Sequence, residues 1–470
     1  MARHARARAN DARRPPRYRR PCGRSVARAW PAGHAIGAQQ AREKVVSDAG
    51  KRVVDGQRPL EALNFFVADV QAGIGPFLGV FLQSIGWRTG AIGTVMTIGG
   101  VAGWLVTAPA GAIVDATRHK RLAVVISCAC TVLASCIVWY AHSFGMVVLS
   151  QVATAVAGAL LGPAIAGMTL GMVRAEGFDR QFGRNQVANH GGNVVGAGLS
   201  GYIGWRFGFG GIFLVAATFG VFAIIATLLI PERAIDHRAA RGLEGREADD
   251  GSAAPSGFSI LVTCRPLLVL SAALALFHLG NAAMLPLYGM AVVATRQGDP
   301  SAFTALTIVV AQVVMVGASL LAMRLIRIQG YWTVILVTFL ALPIRGLLAA
   351  FFVGRWGVYP VQALDGIGAG LQSVAVPAMV ARLMQGTGRV NVAQGAVMTM
   401  QGIGAALSPA LGGWVAQSVG FRGAFLLLGA ISVGSLGLWW GYRGVLGPQG
   451  GATSATGPRI QTTEKPVRAG

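Results

Sequence analysis

Residues 208–230 read GFGGIFLVAATFGVFAIIATLLI, a run of 23 residues without a charged side chain. A transmembrane helix needs about 20 mostly apolar residues to cross roughly 30 Å of hydrocarbon, so this run is long enough to span a bilayer. Eleven further runs of this kind lie between charged clusters. The twelve predicted spans, numbered 1 to 12, cover residues 60–83, 89–114, 122–141, 144–173, 186–205, 208–230, 266–293, 302–323, 331–353, 356–381, 391–417 and 421–442.

The composition of the whole chain agrees with a membrane location. Only 12% of the 470 residues are charged and 53% are hydrophobic, whereas soluble domains carry about 25% charged residues. This supply of charge is too small to cover a soluble particle of the same size, so lipid must cover much of the surface. The sequence therefore predicts an all-α membrane protein, with the lipid bilayer as its main partner.

The hexapeptide that begins span 6 returns near the end of the chain. A shift of 212 residues places Gly208-Phe-Gly-Gly-Ile-Phe213 on Gly420-Phe-Arg-Gly-Ala-Phe425. The same shift pairs Ser200-Gly201 with Gly412-Gly413, Gly192 with Gly404, Gly158 with Gly370 and Asp69 with Asn281. The twelve spans are thus predicted to form two pseudo-symmetric six-helix bundles. Such duplication is typical of transporters that alternate access between their halves, with a substrate site near the midplane.

Polar segments divide the chain into five predicted regions. Residues 1–58 form a basic tail, 59–231 the N-terminal bundle, 232–265 a cytoplasmic linker with a flexible run at 251–257, 266–444 the C-terminal bundle and 445–470 a disordered C-terminal tail. The first tail holds fifteen Arg and Lys against four Asp and Glu, half of the net excess of +22. The tail has no periodic pattern of apolar residues and lacks the apolar segment of a signal peptide. We therefore expect it to be disordered.

Three interpretations of this tail stay open. It could bind anionic lipid headgroups or nucleic acid. It could also be upstream sequence read from a start codon set too early, because no methionine occurs between Met1 and Met96. For the protein as a whole, we do not expect a nucleic-acid partner.

The loop charges predict the orientation. Fifteen basic residues fall in the loops of one side and the central segment, against five on the other side, namely Arg88, Arg206, Arg296, Arg355 and Arg422. Loops rich in basic residues stay in the cytoplasm. Both termini are therefore expected on the cytoplasmic side of a bacterial inner membrane.

Three stretches resemble the major facilitator superfamily, and the resemblance covers residues 59–444. After span 2, residues 111–121 look like the loop motif of the family. In span 4, Gln151 to Pro163 looks like its Arg-Gly-Pro pattern, with Gln151 in place of the arginine. In span 11, residues 404–413 resemble the antiporter motif, which normally belongs to span 5. Its Gly404, Pro409, Gly412 and Gly413, like Pro163 in span 4, are expected in helix packing and kinks.

The resemblance implies a gating loop after span 2. Its candidate residues are Gly111, Asp115, Arg118, Lys120 and Arg121, although Ala116 and Arg118 stand where the family usually has Arg and Gly. We expect a cytoplasmic latch that breaks when the inner side opens. The alternative is that the basic residues only set the topology.

Arg345 and Asp365 are the charged residues that stand out within the spans. They flank Arg355 symmetrically, ten residues before and ten after, so on antiparallel helices both lie about 15 Å from the turn, near mid-bilayer. A buried charge there is costly unless it is paired. We predict a pair that couples transport or orients substrate, or else a purely structural ion pair.

Asp69 is the candidate for proton coupling, because a carboxyl group in apolar surroundings favours its neutral form and can exchange a proton. It lies mid-way along span 1, and the alternative is a hydrogen-bonded structural acid. Further polar residues of the spans are candidates for the cavity wall. They are Gln71, Gln151, Asn189, His190, Asn193, His278 and Asn281.

These features predict a monomeric transporter of a small molecule, with the proton as coupling ion. Efflux of a drug-like compound or metabolite is the leading interpretation, and proton-coupled uptake the second. A non-transporting membrane sensor or assembly protein is the alternative of another class. Neither a metal nor a cofactor is expected, and the sequence contains no HExxH, CxxC or Walker motif that would indicate an enzyme.

Overall fold

A computed structural model describes residues 56–70, 75–241, 263–296, 298–354, 356–385 and 390–446. Within these ranges the regular secondary structure is helical, without strands. The helices are α1 (56–70), α2 (Gly75–Ser84), α3 (Thr89–Ala116), α4 (Lys120–Tyr140), α5 (Phe144–Phe207), α6 (Phe209–Leu229), α7 (Arg265–Asn281), α8 (Met284–Thr295), α9 (Pro300–Phe351), α10 (Val358–Leu383), α11 (Val390–Gly441) and α12 (Arg443–Leu446).

Three of these helices are too long to be single spans. Helix α5 has 64 residues, and α9 and α11 have 52 each, whereas 52 residues at 1.5 Å each would reach about 78 Å. Each is interrupted by one residue with a non-helical backbone, namely Arg174, Gly330 and Gly420. Each therefore holds two spans joined at that residue.

Nine described helical segments are long and apolar enough to cross a membrane. Two of them, Pro300–Phe351 and Val392–Gly441, hold two spans each, and residues 175–207 add a more polar one. The described part of the chain thus contains the twelve predicted spans, with span 1 made of α1 and α2 and span 7 of α7 and α8. The helix of span 5 begins about eleven residues earlier than predicted. Its first turns are polar, so the apolar run that marked the span in the sequence starts later than the helix.

The duplication is visible in the backbone as well as in the sequence. Gly208 and Gly420, which the shift of 212 residues pairs, both have a positive φ, at 77° and 83°. Both lie between the last two spans of their half, where glycine permits a left-handed residue that reverses the chain. Gly192 of span 5 packs on the backbone of span 1, and its partner Gly404 of span 11 packs on span 7. These two pairs of glycines therefore have the same role in each bundle.

Aromatic side chains mark the two ends of the bundles. We name the ends by the charge-based prediction, so that the outer end carries Arg88, Arg206 and Arg422. Exposed aromatic residues at the outer end are Trp139, Tyr140, Tyr202, Trp205, Trp356 and Tyr359, and at the inner end Trp440 and Tyr442. Tryptophan and tyrosine are enriched at both membrane–water interfaces.

The segment after span 6 is ordered at its beginning. Two short 3-10 turns, Glu232–Ala234 and Ala239–Arg241, follow Pro231. The Asp236 N–H donates to the Gly171 carbonyl of span 4, and Ile235 and Ala240 are buried against it. The predicted linker thus begins with a segment that packs on span 4, while the Gly- and Ser-rich run 251–257, which is the part predicted to be flexible, lies outside the described residues. Helix α1 likewise begins at residue 56, three residues inside the predicted tail.

Candidate functional site

Arg345 lies at the centre of a polar cluster within the C-terminal half. Its side chain is 1% exposed, and Nη1 lies 2.8 Å from Asp365 Oδ1. Nη1 also donates to Asn281 Oδ1 at 2.6 Å, and Nη2 donates to Gln362 Oε1 at 3.3 Å. The guanidinium group therefore links three spans, because Asn281 belongs to span 7, Arg345 to span 9 and the other two residues to span 10.

The members of this cluster differ in exposure. Arg345 and Gln362 are fully buried, whereas the Asp365 side chain is 16% exposed. A buried charge needs a partner, since desolvation otherwise costs several kcal/mol. Arg345 thus neutralises Asp365 from the buried side, and the carboxylate is the member of the pair that a solute could reach.

A second polar contact continues this surface. His278 Nε2 lies 3.0 Å from Gln372 Oε1. His278 is one turn before Asn281 on span 7, and Gln372 is two turns after Asp365 on span 10, so both extend the polar faces of their helices. The C-terminal half therefore presents a continuous row of polar groups along spans 7 and 10.

Asp69 occupies a different environment in the N-terminal half. Its side chain is 8% exposed, and a Cβ added to Gly196 of span 5 would lie 2.7 Å from its Oδ1. Its Oδ2 has no hydrogen-bond partner among the described residues, and no ion pair there includes Asp69. One face of span 5 continues the polar surface, since Asn193 donates to Asn189 and Asn189 to the Asn64 carbonyl oxygen.

The two halves meet along spans 2 and 11 at the outer end. A Cβ added to Gly93 would collide with the Pro409 carbonyl oxygen. Hydrogen bonds cross the same contact, from Ala410 N to Thr97 Oγ1 at 2.9 Å and from Trp414 Nε1 to Thr94 Oγ1 at 3.0 Å. We call this contact the outer seam. Its backbones approach closely because glycine has no side chain.

Two more contacts close the same end. Gly201 and Gly204 of span 5 pack on Ser301 and Ala305 of span 8, and α2 packs on α8, where Gly79 meets the Met290 side chain. The contacts between the halves given by these glycines and hydrogen bonds lie at the middle and outer end. Towards the inner ends of spans 5, 8 and 11, Val187, Leu320 and Met398 are 74%, 79% and 66% exposed.

Comparison with known proteins fits this two-bundle arrangement. The sequence profile of the Major Facilitator Superfamily matches residues 62–356 and 336–467. The chain belongs to the major facilitator superfamily. It is a multi-pass membrane transporter and not an enzyme.

Similar sequences support the same conclusion, and solved structures share the fold. Proteins described as "Uncharacterized MFS-type transporter" from two strains of Mycobacterium tuberculosis are 38% identical over 378 residues, 80% of this chain and 90% of theirs. The nucleoside transporter NupG has a TM-score of 0.65 at 12% identity, covering 82% of this chain and 98% of that one. A bacterial homologue of the iron transporter ferroportin, in an inward-facing state, has a TM-score of 0.61 at 13% identity, covering 83% and 98%. At these identities the structures show the fold alone.

The gating loop of the superfamily is only partly described. Lys120 is 2% exposed and its Nζ donates to the Val114 carbonyl at 2.6 Å, while Arg121 donates to the Leu228 carbonyl at 2.7 Å. Both side chains thus bind the C-terminal ends of helices in their own half. Arg118 is exposed and Gly111 has open space around it. The Asp115 side chain lies outside the described residues, so the latch stays a prediction.

The remaining predicted residues are spread over several contacts. Gln151 is half-buried and packs on Gly99 of span 2, and Pro163 lies within α5. Gln71 lies outside the described residues. In span 11, Gly404 and Gly412 face span 7, whereas Pro409 and Gly413 face span 2. The motif that resembles the antiporter pattern is thus a packing element with two faces.

Several polar residues of this region were missed by the sequence reasoning. Gln362 and Gln372 lie three residues before and seven after Asp365, so helical periodicity around Asp365 could have found them. Gln312, whose side chain meets His190 of span 5 across the halves at 3.1 Å, carries no comparable signal in a single sequence.

Proposed function

We propose that this transporter moves a neutral or cationic amphipathic small molecule by alternating access, coupled to protons through Asp69. The observation that carries the proposal is the contrast between two buried carboxylates. Asp365 has a fixed cation at 2.8 Å, whereas Asp69 has an oxygen without a partner among the described residues. A carboxylate without a cation in an apolar site favours protonation. Asp69 is therefore the group that exchanges the proton, whereas Asp365 is the partner of Arg345.

The charges of the cluster favour this substrate class. Arg345 is occupied by Asp365, Asn281 and Gln362, so its charge is not available to attract an anion. The Asp365 side chain, which is 16% exposed, leaves an acceptor oxygen that a donor group on the substrate can bind. A polyanion would meet this carboxylate and would be repelled. Amphipathic drug-like compounds and metabolites fit best, with export as the proposed direction.

Uptake is the second candidate, because solved structures with this fold include a nucleoside transporter and a POT family transporter with a bound peptide conjugate. With the predicted orientation in a bacterial inner membrane, the closed outer end corresponds to an inward-open state. That state receives a solute from the cytoplasm during export and releases one during uptake. The proposal takes the protein to act as a monomer.

Transport in proteoliposomes tests this proposal. Purified protein is reconstituted, a pH gradient is imposed in either direction, and ethidium, uridine and dialanine are offered as probes. We expect gradient-driven movement of ethidium opposite to the protons, abolished by a protonophore. Movement of uridine or dialanine together with protons would establish uptake instead. Absence of ethidium movement in preparations that are folded and correctly inserted would overturn the proposed substrate class.

A further inference from the structure

Span 7 opens two residues after Asn281. Helix α7 ends at Asn281, and Ala282 and Ala283 form a turn before α8 begins. Pro286 explains the opening, because a proline ring inside a helix clashes with the carbonyl four residues earlier and lacks an N–H group. The Ala283 N–H, which would otherwise donate to residue 279, donates to Ser408 Oγ of span 11 at 2.9 Å. A side chain thus enters the hydrogen-bond ladder of span 7.

Ser408 lies between the face of span 11 that packs on span 7 and the face that packs on span 2. On one side, a Cβ added to Gly412 would meet Leu287 and Ala283 of span 7. On the other side, the residues that follow Ser408 form the outer seam, where Pro409 meets Gly93 and Ala410 donates to Thr97. Ser408 itself is fully buried. A displacement of span 11 at the seam must therefore act on the Ala283 hydrogen bond.

The turn at Ala282 and Ala283 is also connected to the Arg345–Asp365 pair. Asn281, the last residue of α7, accepts from Arg345 Nη1 at 2.6 Å, and Arg345 holds Asp365. Only Ala282 separates Asn281 from the residue that Ser408 binds. Three hydrogen bonds and two short backbone segments thus join the Arg345–Asp365 pair to the contact between the two halves.

We propose that Ser408 is a positioning residue that couples the Arg345–Asp365 pair to closure of the outer seam. When the seam closes, span 11 brings the Ser408 hydroxyl to the Ala283 N–H, and the turn in span 7 then holds Asn281 against Arg345. When the seam opens, this hydrogen bond is lost and Asn281 is released. A change in the charge of the pair, as on binding a solute, is transmitted in the opposite direction.

Distance measurements at the seam test this role without any substrate. Spin labels at Arg88→Cys and Ser418→Cys, exposed positions at the outer ends of spans 2 and 11, are read by double electron–electron resonance. The native cysteines are replaced first, since Cys130 and Cys136 are exposed. The full chain in nanodiscs should show a short distance. We expect Ser408→Ala to raise the population at long distance about fivefold or more, because a buried N–H is left unpaired in the closed state.

Two variants separate this role from a general loss of packing. Ser408→Thr keeps the hydroxyl and should restore the short distance. Ser432→Ala removes a buried hydroxyl that bonds only within its own helix, to the Gly429 carbonyl, and should leave the distribution unchanged. An unchanged distribution in Ser408→Ala, or an equal change in Ser432→Ala, would overturn the proposal.

A double-mutant cycle measures the coupling itself. Asp365→Asn is made in the wild-type and in the Ser408→Ala background, and the population ratio of the two distances is compared. We expect Asp365→Asn to shift the ratio at least fivefold when Ser408 is present and less than twofold when it is absent. Equal shifts in both backgrounds would show that the pair and the seam are independent. This readout does not involve transport, so it can fail while the proposed function stands.

Discussion

The two halves of this transporter use the same fold to hold buried carboxylates in opposite ways. In the C-terminal half, Asp365 is neutralised at 2.8 Å by an arginine that is itself bound to Asn281 and Gln362. In the N-terminal half, Asp69 packs on Gly196 and has an oxygen without a partner among the described residues. The shift of 212 residues pairs Asp69 with Asn281, so duplication supplied one position that became an acid in one half and an amide in the other. A fixed charge suits orientation of a solute, and an unpaired acid suits exchange of a proton.

The largest expected effect comes from removing only the arginine of the Arg345–Asp365 pair. Arg345→Met leaves Asp365 as a buried charge without a cation, which costs about 3–5 kcal/mol. We expect a large loss of thermal stability in detergent. The double variant Arg345→Met/Asp365→Leu removes both charges and should recover most of that loss. If the single variant melts like the wild type, Arg345 does not neutralise Asp365.

The next effect comes from crowding the acid of the N-terminal half. A Cβ at Gly196 would lie 2.7 Å from Asp69 Oδ1, so Gly196→Ala must displace the carboxylate, at a cost of roughly 1–3 kcal/mol. We expect gradient-driven transport in proteoliposomes to fall about tenfold. Gly198→Ala is the matched control, because an added Cβ there meets nothing within 4 Å. Equal rates for the two variants would show that the position of Asp69 is not critical.

The smallest effect is expected for a carboxylate that belongs to neither site. Hydrogen bonds from the Ala239 and Arg238 N–H groups, together with Arg174, lower the pKa of Asp236 below its usual value. A lowered pKa in the folded state means that the stabilisation is present above the unfolded pKa and is lost as pH falls through the folded pKa. Limited proteolysis after residue 231 should therefore accelerate below about pH 4, and Asp236→Asn should remove this pH dependence. A pH dependence that persists in the variant would assign it to another group.

The twelve spans and the two-fold repeat could be predicted from the sequence because both depend on local composition. Apolar runs separated by charges locate the spans, and Gly208 and Gly420 mark equivalent turns in the two halves. The separation of ten residues on each side of Arg355 also placed Arg345 and Asp365 at the same depth. The sequence left their rotation open, and the structure brings the two side chains together.

Other features depend on contacts between distant segments. Ser408 and Ala283 are 125 residues apart in the chain, and a serine in an apolar helix carries no sign of its partner. The sequence also does not indicate which end of the protein is closed, because the same glycines would pack at the outer seam in a protein that opens and closes there. The start of span 5 was missed since polar turns can continue a helix beyond the hydrocarbon.

The most direct test of the contrast compares Asp69→Asn with Asp365→Asn in one assay. Proteoliposomes are loaded with a transported probe, and counterflow is measured beside accumulation driven by a pH gradient. We predict that Asp69→Asn keeps counterflow and loses the gradient-driven accumulation, whereas Asp365→Asn loses both. Gradient-driven accumulation at the wild-type rate in Asp69→Asn would contradict the assignment of the proton to the N-terminal half.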